Sequence, residues 1–228
     1  MTARRTYRIL FIGPPGAGKG TYAKHLEGRL GVPHISTGTM LRRCVAKDAP
    51  GAEKVRYHLD RGELIPDNMM IEIIKRRLSE EDTKNGFMLD GFPRTLVQAK
   101  MLDGLLDSMG LGLDYIFNIW TPYNKIVQRA LNRAHCEACG RIYNLKNEDI
   151  SPELLCDTCG GKLVRRGDDR AETLWHRLEV YDEKTRPIVE FYSERPQFHE
   201  IYTGGPVEDG LGKMIDIIEA AEREHDCA

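Results

Sequence analysis

Residues 13–21 read Gly-Pro-Pro-Gly-Ala-Gly-Lys-Gly-Thr, directly after the short apolar run 7–12 and directly before residues with helical character. No other feature constrains the chain as strongly. A strand that ends in a glycine-rich turn and runs into a helix aims several backbone N–H groups at one point, and the helix N-terminus adds its positive dipole. A lysine in the turn then reaches the outer oxygens of a bound phosphate chain. The plain spacing G-x4-G-K-[ST] is altered here, because Gly20 separates Lys19 from Thr21. The segment predicts phosphate binding by Gly16, Ala17, Gly18, Lys19, Gly20 and Thr21. A tight turn without a ligand is the alternative, and the lysine in a strand–helix context argues against it.

The rest of the chain repeats the alternation. Strands are expected at 7–12, 34–36, 87–89, 114–120 and 199–202. Helices are expected at 19–30, 37–45, 50–61, from Pro66 onward, and at 95–108, 122–133, 168–192 (with a break at Pro187) and 207–223. Strands alternating with helices predict an α/β fold whose central parallel sheet is covered on both faces, a three-layer sandwich. At 228 residues, 41% hydrophobic and 30% charged, the chain can bury a core in one or two domains. Its longest aliphatic runs stop after four to six residues, where a membrane span needs roughly 20. Gly13-Pro14-Pro15 interrupts the apolar stretch that a signal peptide would need after Arg4, Arg5 and Arg8, so a cytoplasmic location is expected. A net charge of −2 argues against a general nucleic-acid binder.

Four of the six cysteines form two pairs, Cys136-x2-Cys139 and Cys156-x2-Cys159, with sixteen residues between them. Each pair can fill two corners of a tetrahedron, which predicts a four-thiolate structural zinc site. Two disulfides or a redox CxxC are the competing readings, disfavoured in a cytoplasmic protein. Iron or cobalt would also accept four thiolates. His135 adjoins Cys136 and reads as a bystander; Cys44 and Cys227 read as ordinary thiols. The block 132–169 looks like an insertion too small to bury its own core, and zinc is its obvious staple.

Three motifs in order then carry a resemblance. The loop at residues 13–21 has the form GxPGxGKGT; Leu89-Asp90-Gly91-Phe92-Pro93-Arg94-Thr95 is a second signature; Arg166-Gly167-Asp168-Asp169, followed by Thr173 and Arg177, is a third. With these the chain resembles the adenylate kinases, within the nucleoside monophosphate kinases, over about residues 7–220. The cysteine block is similar to the lid of the zinc-bearing, long-lid form. The resemblance implies reversible phosphoryl transfer from Mg·ATP to AMP, giving two ADP, and a part in adenine nucleotide homeostasis. It implies a core of 1–35, 66–131 and 170–228, a helical acceptor-binding insertion at 36–65, and a zinc-binding lid at 132–169. The loop would hold the ATP phosphates. Mg²⁺ would be held by the Thr21 hydroxyl and, through water, by Asp90. Thr37, Arg42, the backbone of Glu63, Leu64 and Ile65, then Gly91, Phe92, Pro93, Arg94 and Gln98, would form the AMP pocket. Arg129 would stack on the donor adenine; Ile142, Tyr143 and Gly205 would add donor contacts; Arg133, Arg166 and Arg177 would clamp the transferring group. Arg165 beside Arg166 leaves a one-residue ambiguity in the clamp, and the spacing to Asp168-Asp169 favours Arg166.

The residues suit that chemistry. Phosphoryl transfer is catalysed by alignment and charge neutralisation, so it calls for arginines and a metal rather than a nucleophile. Gln98 lies four residues after Arg94, on the same helix face. Its amide carries both a donor and an acceptor for a base edge. The family usually has an acidic residue and a glycine after the last strand, where this chain has Tyr202-Thr203-Gly204. Two alternatives remain open: a kinase for UMP, CMP or GMP, and a non-catalytic zinc-ribbon binding module. The expected partners are nucleotides, with no nucleic acid or membrane, and the expected state is a monomer.

Overall fold

A computed structural model describes residues 5–146, 153–165 and 171–226. Five parallel strands form the central sheet: β1 (Tyr7–Ile12), β2 (His34–Ser36), β3 (Gly86–Asp90), β4 (Tyr115–Trp120) and the last strand, β8 (Phe198–Tyr202), in the order β2-β3-β1-β4-β8. Leu10 faces Leu89 on one side and Ile116 on the other, which fixes the register at the centre.

Side chains along these strands alternate between two cores, as the pleat requires. Leu10, Ile12, Phe87, Leu89 and Ile116 join one core, covered by α2 (Thr37–Ala46), α3 (Ala52–Arg61), α4 (Asp67–Leu78), α5 (Leu96–Ser108) and α8 (Arg186–Ser193). Ile9, Phe11, Met88, Phe117 and Ile119 join the other, under α1 (Lys19–Leu30) and α9 (Val207–Asp226). Strands apolar on both faces are what a sheet sandwiched by helices needs.

Chain order brings β2 and β3 to one side of β1 and β4 to the other. The crevice at such a reversal, beyond the carboxyl ends of the strands, is where open α/β sheets place ligands. The glycine-rich loop after β1 and Asp90 at the end of β3 both lie there.

After β4, α6 (Tyr123–Leu131) leads into a separate antiparallel sheet of β5 (Arg133–Cys136), β6 (Ile142–Asn144) and β7 (Leu163–Val164), ordered β6-β5-β7. Two sequence expectations shift here. The helix expected to reach residue 133 ends at Leu131, and Arg133 opens β5 opposite Asn144. The long helix expected over 168–192 is α7 (Ala171–Val180), then a wide turn over Tyr181–Thr185, then α8. The wide turn precedes Pro187, which has no N–H to give the preceding turn, so the ladder loosens there. Thr185 uses its hydroxyl on the Arg94 carbonyl at 2.8 Å. No helix among the described residues is long and apolar enough to cross a membrane.

Candidate active site and metal centre

The turn between β1 and α1 is built as its glycines suggested. Gly13, Gly16 and Gly18 all have positive φ, and Gly18 enters α1 from a left-handed conformation. Lys19 curls over the loop, donating from Nζ to the carbonyls of Gly13 at 2.7 Å and Pro14 at 2.9 Å. Burial lowers the Lys19 pKa to about 8; the Arg94, Arg177 and Arg133 charges lower it too, while Asp90 opposes them. These groups come from the loop, the end of β3, the following turn, β5 and α7. Residues 19, 90, 94, 133 and 177 thus converge on one cleft.

Asp90 is the anion in this cationic cluster. Burial raises its pKa, but the hydrogen bond from His34 and the charges of Lys19 and Arg94 outweigh that and hold it below the usual carboxylate range. His34 Nε2 lies 3.2 Å from Asp90 Oδ2. Gly20 leaves space beside the carboxylate, since a Cβ there would stand 3.4 Å from Asp90 Oδ2. An ionised carboxylate next to a glycine cradle and the Thr21 position fits a hydrated Mg²⁺.

On the acceptor side, Thr37 Oγ1 donates to the Asp90 carbonyl at 3.3 Å, tying the start of α2 to the end of β3. Arg94 Nε donates to the Gly91 carbonyl at 2.7 Å. Gln98 Oε1 accepts from the Arg94 N–H at 2.8 Å, and its Nε2 donates to Asp67 Oδ1 at 2.7 Å. The Glu63 carboxylate lies 3.1 Å from His58 Nδ1, and Ile65 is buried in the core, so the segment 63–65 offers backbone. Gly62, which ends α3, packs against Thr173 and Arg177 of α7. Phe92 and Pro93, joined by a cis bond, are buried behind Arg94, and Arg42 lies on α2 beside Gly38.

On the donor side, Arg129 Nη2 donates to the Thr203 carbonyl at 2.6 Å and approaches the Gly205 carbonyl at 3.4 Å. Lys125 donates to the Gly204 carbonyl between them. Thr203 is fully buried; its hydroxyl donates to the Ala17 carbonyl at 3.1 Å and meets Thr121 Oγ1 at 2.5 Å. The turn after β8 is therefore fastened to the phosphate loop itself.

The cysteines also meet. The Sγ atoms of Cys136, Cys139, Cys156 and Cys159 all lie within 4.8 Å of one another. The near pairs, Cys136–Cys159 at 3.5 Å and Cys139–Cys156 at 3.7 Å, join the two CxxC units. Tetrahedral zinc with bonds of about 2.3 Å separates its sulfurs by about 3.8 Å, whereas a disulfide needs about 2.05 Å. A Cβ on Gly161 would stand 2.8 Å from Cys136 Sγ, so the cradle admits only glycine. Contact with the Tyr143 hydroxyl and the backbone N–H groups of Thr158 and Cys159 pulls the Cys156 thiol down, while hydrogen bonds to the other three sulfurs push Cys159 up, so the four thiols share their protons as one cluster. These features suit zinc and exclude the two-disulfide reading for this arrangement.

Ile142 is partly exposed on β6, but Tyr143 is buried in the small lid core, its hydroxyl 3.0 Å from Cys156 Sγ and bonded to Asp157. The Tyr143 side chain serves the metal centre, leaving only its backbone for a donor nucleotide. Arg166, with Gly167, Asp168 and Asp169, lies outside the described residues. His34, Asp67, Lys125 and Thr203 were not singled out from sequence. Asp67 stood only as the start of a helix after Pro66. Thr203 had a signal, its departure from the family's usual glycine; His34 and Lys125 had none.

The family model for adenylate kinase matches residues 11–197. An adenylate kinase of Thermotoga maritima is 47% identical over 211 residues, covering 92% of this chain and 96% of the relative. One from Thermodesulfovibrio yellowstonii is 41% identical over 212 residues, covering 93% and 99%. One from Archaeoglobus fulgidus is 40% identical over 210 residues, covering 92% and 96%. With this likeness running through the phosphate loop, the arginine cleft and the four-cysteine lid, the chain belongs to the adenylate kinase family.

Proposed function

We propose that the cleft around Lys19 carries out the family's reaction through the residues assembled there. The chain is an ATP:AMP phosphotransferase: it moves the terminal phosphoryl group of Mg·ATP to AMP and yields two ADP, which maintains the balance of adenine nucleotides. The observation that carries the residue assignment is the convergence of Lys19, Asp90, Arg94, Arg133 and Arg177 from five separate segments. Gly16 to Thr21 and Lys19 hold the donor phosphates, and Arg129 with the turn at Gly205 holds the donor base. Thr37, Arg42, the 63–65 backbone, Gly91 to Arg94 and Gln98 receive AMP. Arg133 and Arg177, with Arg166, neutralise the charge that develops on the transferring group.

An oxygen of the AMP phosphate attacks the terminal phosphorus of ATP as the bond to the bridging oxygen breaks. No general base is required, since the second pKa of a phosphate monoester is about 6 and the attacking oxygen is already ionised near neutrality. The Thr21 hydroxyl and, through water, Asp90 would hold Mg²⁺, which would supply charge neutralisation on the donor phosphates. Zinc, held by the four cysteines, is structural. Segments 36–65 and 132–169 act as hinged covers, closing over both nucleotides to exclude water, the competing acceptor. The chain works as a monomer in the cytoplasm.

Incubation with Mg·ATP and AMP, GMP, CMP or UMP separately, with products resolved by anion exchange, tests the acceptor. ADP formed rapidly with AMP alone is expected, and preference for another monophosphate would overturn the acceptor pocket. Arg94→Ala should lower turnover by about 10³-fold or more, as for other arginines that stabilise phosphoryl transfer. Wild-type turnover in that variant would refute the assignment.

A further inference from the structure

We propose that Asp67 determines which purine the acceptor pocket takes, by holding the Gln98 amide in one of its two orientations. The inference rests on the reading that Gln98 faces the acceptor base. Gln98 is only 2% exposed, on the first turn of α5. Its two ends have chemically opposite partners. Nε2 donates to Asp67 Oδ1 at 2.7 Å, and Oε1 accepts from the Arg94 N–H at 2.8 Å. An ionised carboxylate only accepts, and a backbone N–H only donates.

Turning the amide by 180° would set Oε1 against the carboxylate and Nε2 against the N–H. Both bonds would be lost and like dipoles opposed. A glutamine amide is nearly symmetric in shape, so its orientation is decided by partners and not by packing. Asp67 is itself held in place. Its Oδ1 also accepts from Thr95 Oγ1 at 3.1 Å, and that oxygen caps α5 by accepting from the Gln98 N–H at 3.1 Å. The first residue of α4 is thereby locked to the first turn of α5.

The orientation has a consequence for base choice. Adenine presents an amine donor at position 6 and an acceptor at N1; hypoxanthine and guanine present an acceptor at O6 and a donor at N1. The bonds to Asp67 and Arg94 leave Gln98 one N–H and one lone pair for a ligand. Held one way round, that pair complements one kind of edge and opposes the other. Sites built around such a pattern discriminate strongly, because the wrong ligand leaves buried polar groups unpaired. Asp67 is a positioning residue, acting through Gln98.

The test is Asp67→Asn, close to isosteric, whose carboxamide can donate or accept and so tolerates either orientation of Gln98. Inosine monophosphate is the probe, because it differs from AMP only at positions 1 and 6. Losing a charge-assisted bond should raise the kcat/KM ratio of inosine monophosphate to AMP about tenfold. The KM for AMP should rise, with kcat and the KM for ATP unchanged. A merely structural role would lower Tm and all rates together and leave the ratio where it was. If Asp67→Asn does not fold, Asp67→Ser offers a hydroxyl with the same dual capacity. Gln98→Ala separates the two claims. A ratio shifted by Gln98→Ala but unmoved by Asp67→Asn overturns the role of Asp67. A ratio unmoved by both overturns the placement of Gln98 at the acceptor base, and this inference with it.

Discussion

The phosphate loop and the cysteine lid are both made from glycine turns that aim several groups at one point, and they load the fold with opposite sign. In the loop, a half-buried lysine lies among Arg94, Arg133 and Arg177, with Asp90 the countercharge, and loss of solvent pulls its pKa down to about 8. Cations forced together cost stability, and a phosphate chain is the ligand that relieves the cost. In the lid, five buried residues (Ala134, Cys136, Tyr143, Cys156 and Leu163) form the core, and the four thiols converge at its edge, those of Cys136 and Cys156 on buried residues and those of Cys139 and Cys159 on exposed ones. A core of that size cannot hold three short strands alone, so metal–sulfur bonds supply the stability. Convergence of polar groups therefore does not reveal whether a site is a strut or an instrument. The charge that would fill it does.

The largest effect should come from Lys19→Met. Turnover should fall by about 10³-fold, in line with the removal of a preorganised charge contact, while Tm at neutral pH stays level or rises. The wild-type lysine adds a pH signature. Its folded pKa, about 8, is below the ordinary 10.5, so between those values the unfolded chain binds more protons than the folded one. Stability should rise with pH through that window, with the penalty fully present below about pH 8, and Lys19→Met should abolish the rise. Denaturant melts of both proteins from pH 7 to 10.5 measure it. A variant that lost both activity and stability would erase the contrast with the lid.

Cys156→Ser should do the reverse. Zinc content should drop and Tm fall by about 10 °C, from the loss of several kcal/mol of metal-linked folding energy. Most of the turnover should persist well below the new Tm. Calorimetry with metal analysis checks this, and a collapse of activity at unchanged Tm would make the lid catalytic. The smallest effect concerns the joint between the turn after β8 and the phosphate loop. Lys125→Ala should raise the KM for ATP about fivefold, as expected for one charge-assisted bond to a carbonyl, and leave the KM for AMP alone. Equal shifts in both would show that Lys125 braces the whole sheet edge and not the donor turn.

Much of the architecture was legible because local chemistry wrote it. The run 7–12, the glycine turn and the helix to residue 30 follow from short-range preferences, and the structure places them at Tyr7–Ile12 and Lys19–Leu30. Ser36 and Thr95 cap α2 and α5 through their own side chains. The illegible parts depend on partners far along the chain. Helix α6 stops at Leu131 because Arg133 pairs with Asn144 in a sheet, a tertiary contact that overrides helical character. The place of the Tyr143 side chain, its ring in the lid core and its hydroxyl beside Cys156, depends on residues on other strands and turns of the lid. The amide orientation of Gln98 is set by Asp67, 31 residues earlier, which sequence spacing does not connect.

By itself, the sequence determined the phosphate loop, the four metal-ligating cysteines and the strand–helix alternation of a covered parallel sheet. Each follows from neighbours a few residues apart, through backbone conformation, helix capping and side-chain periodicity. Only the tertiary structure decided that Lys19, Asp90, Arg94, Arg133 and Arg177 share one cleft, and that Thr203 fastens the donor turn to Ala17. Only it decided that the two CxxC units, sixteen residues apart, bring all four sulfurs within 4.8 Å of one another. Charge–charge energies and hydrogen bonds depend on distance through space and on burial, and neither quantity exists until the chain has folded.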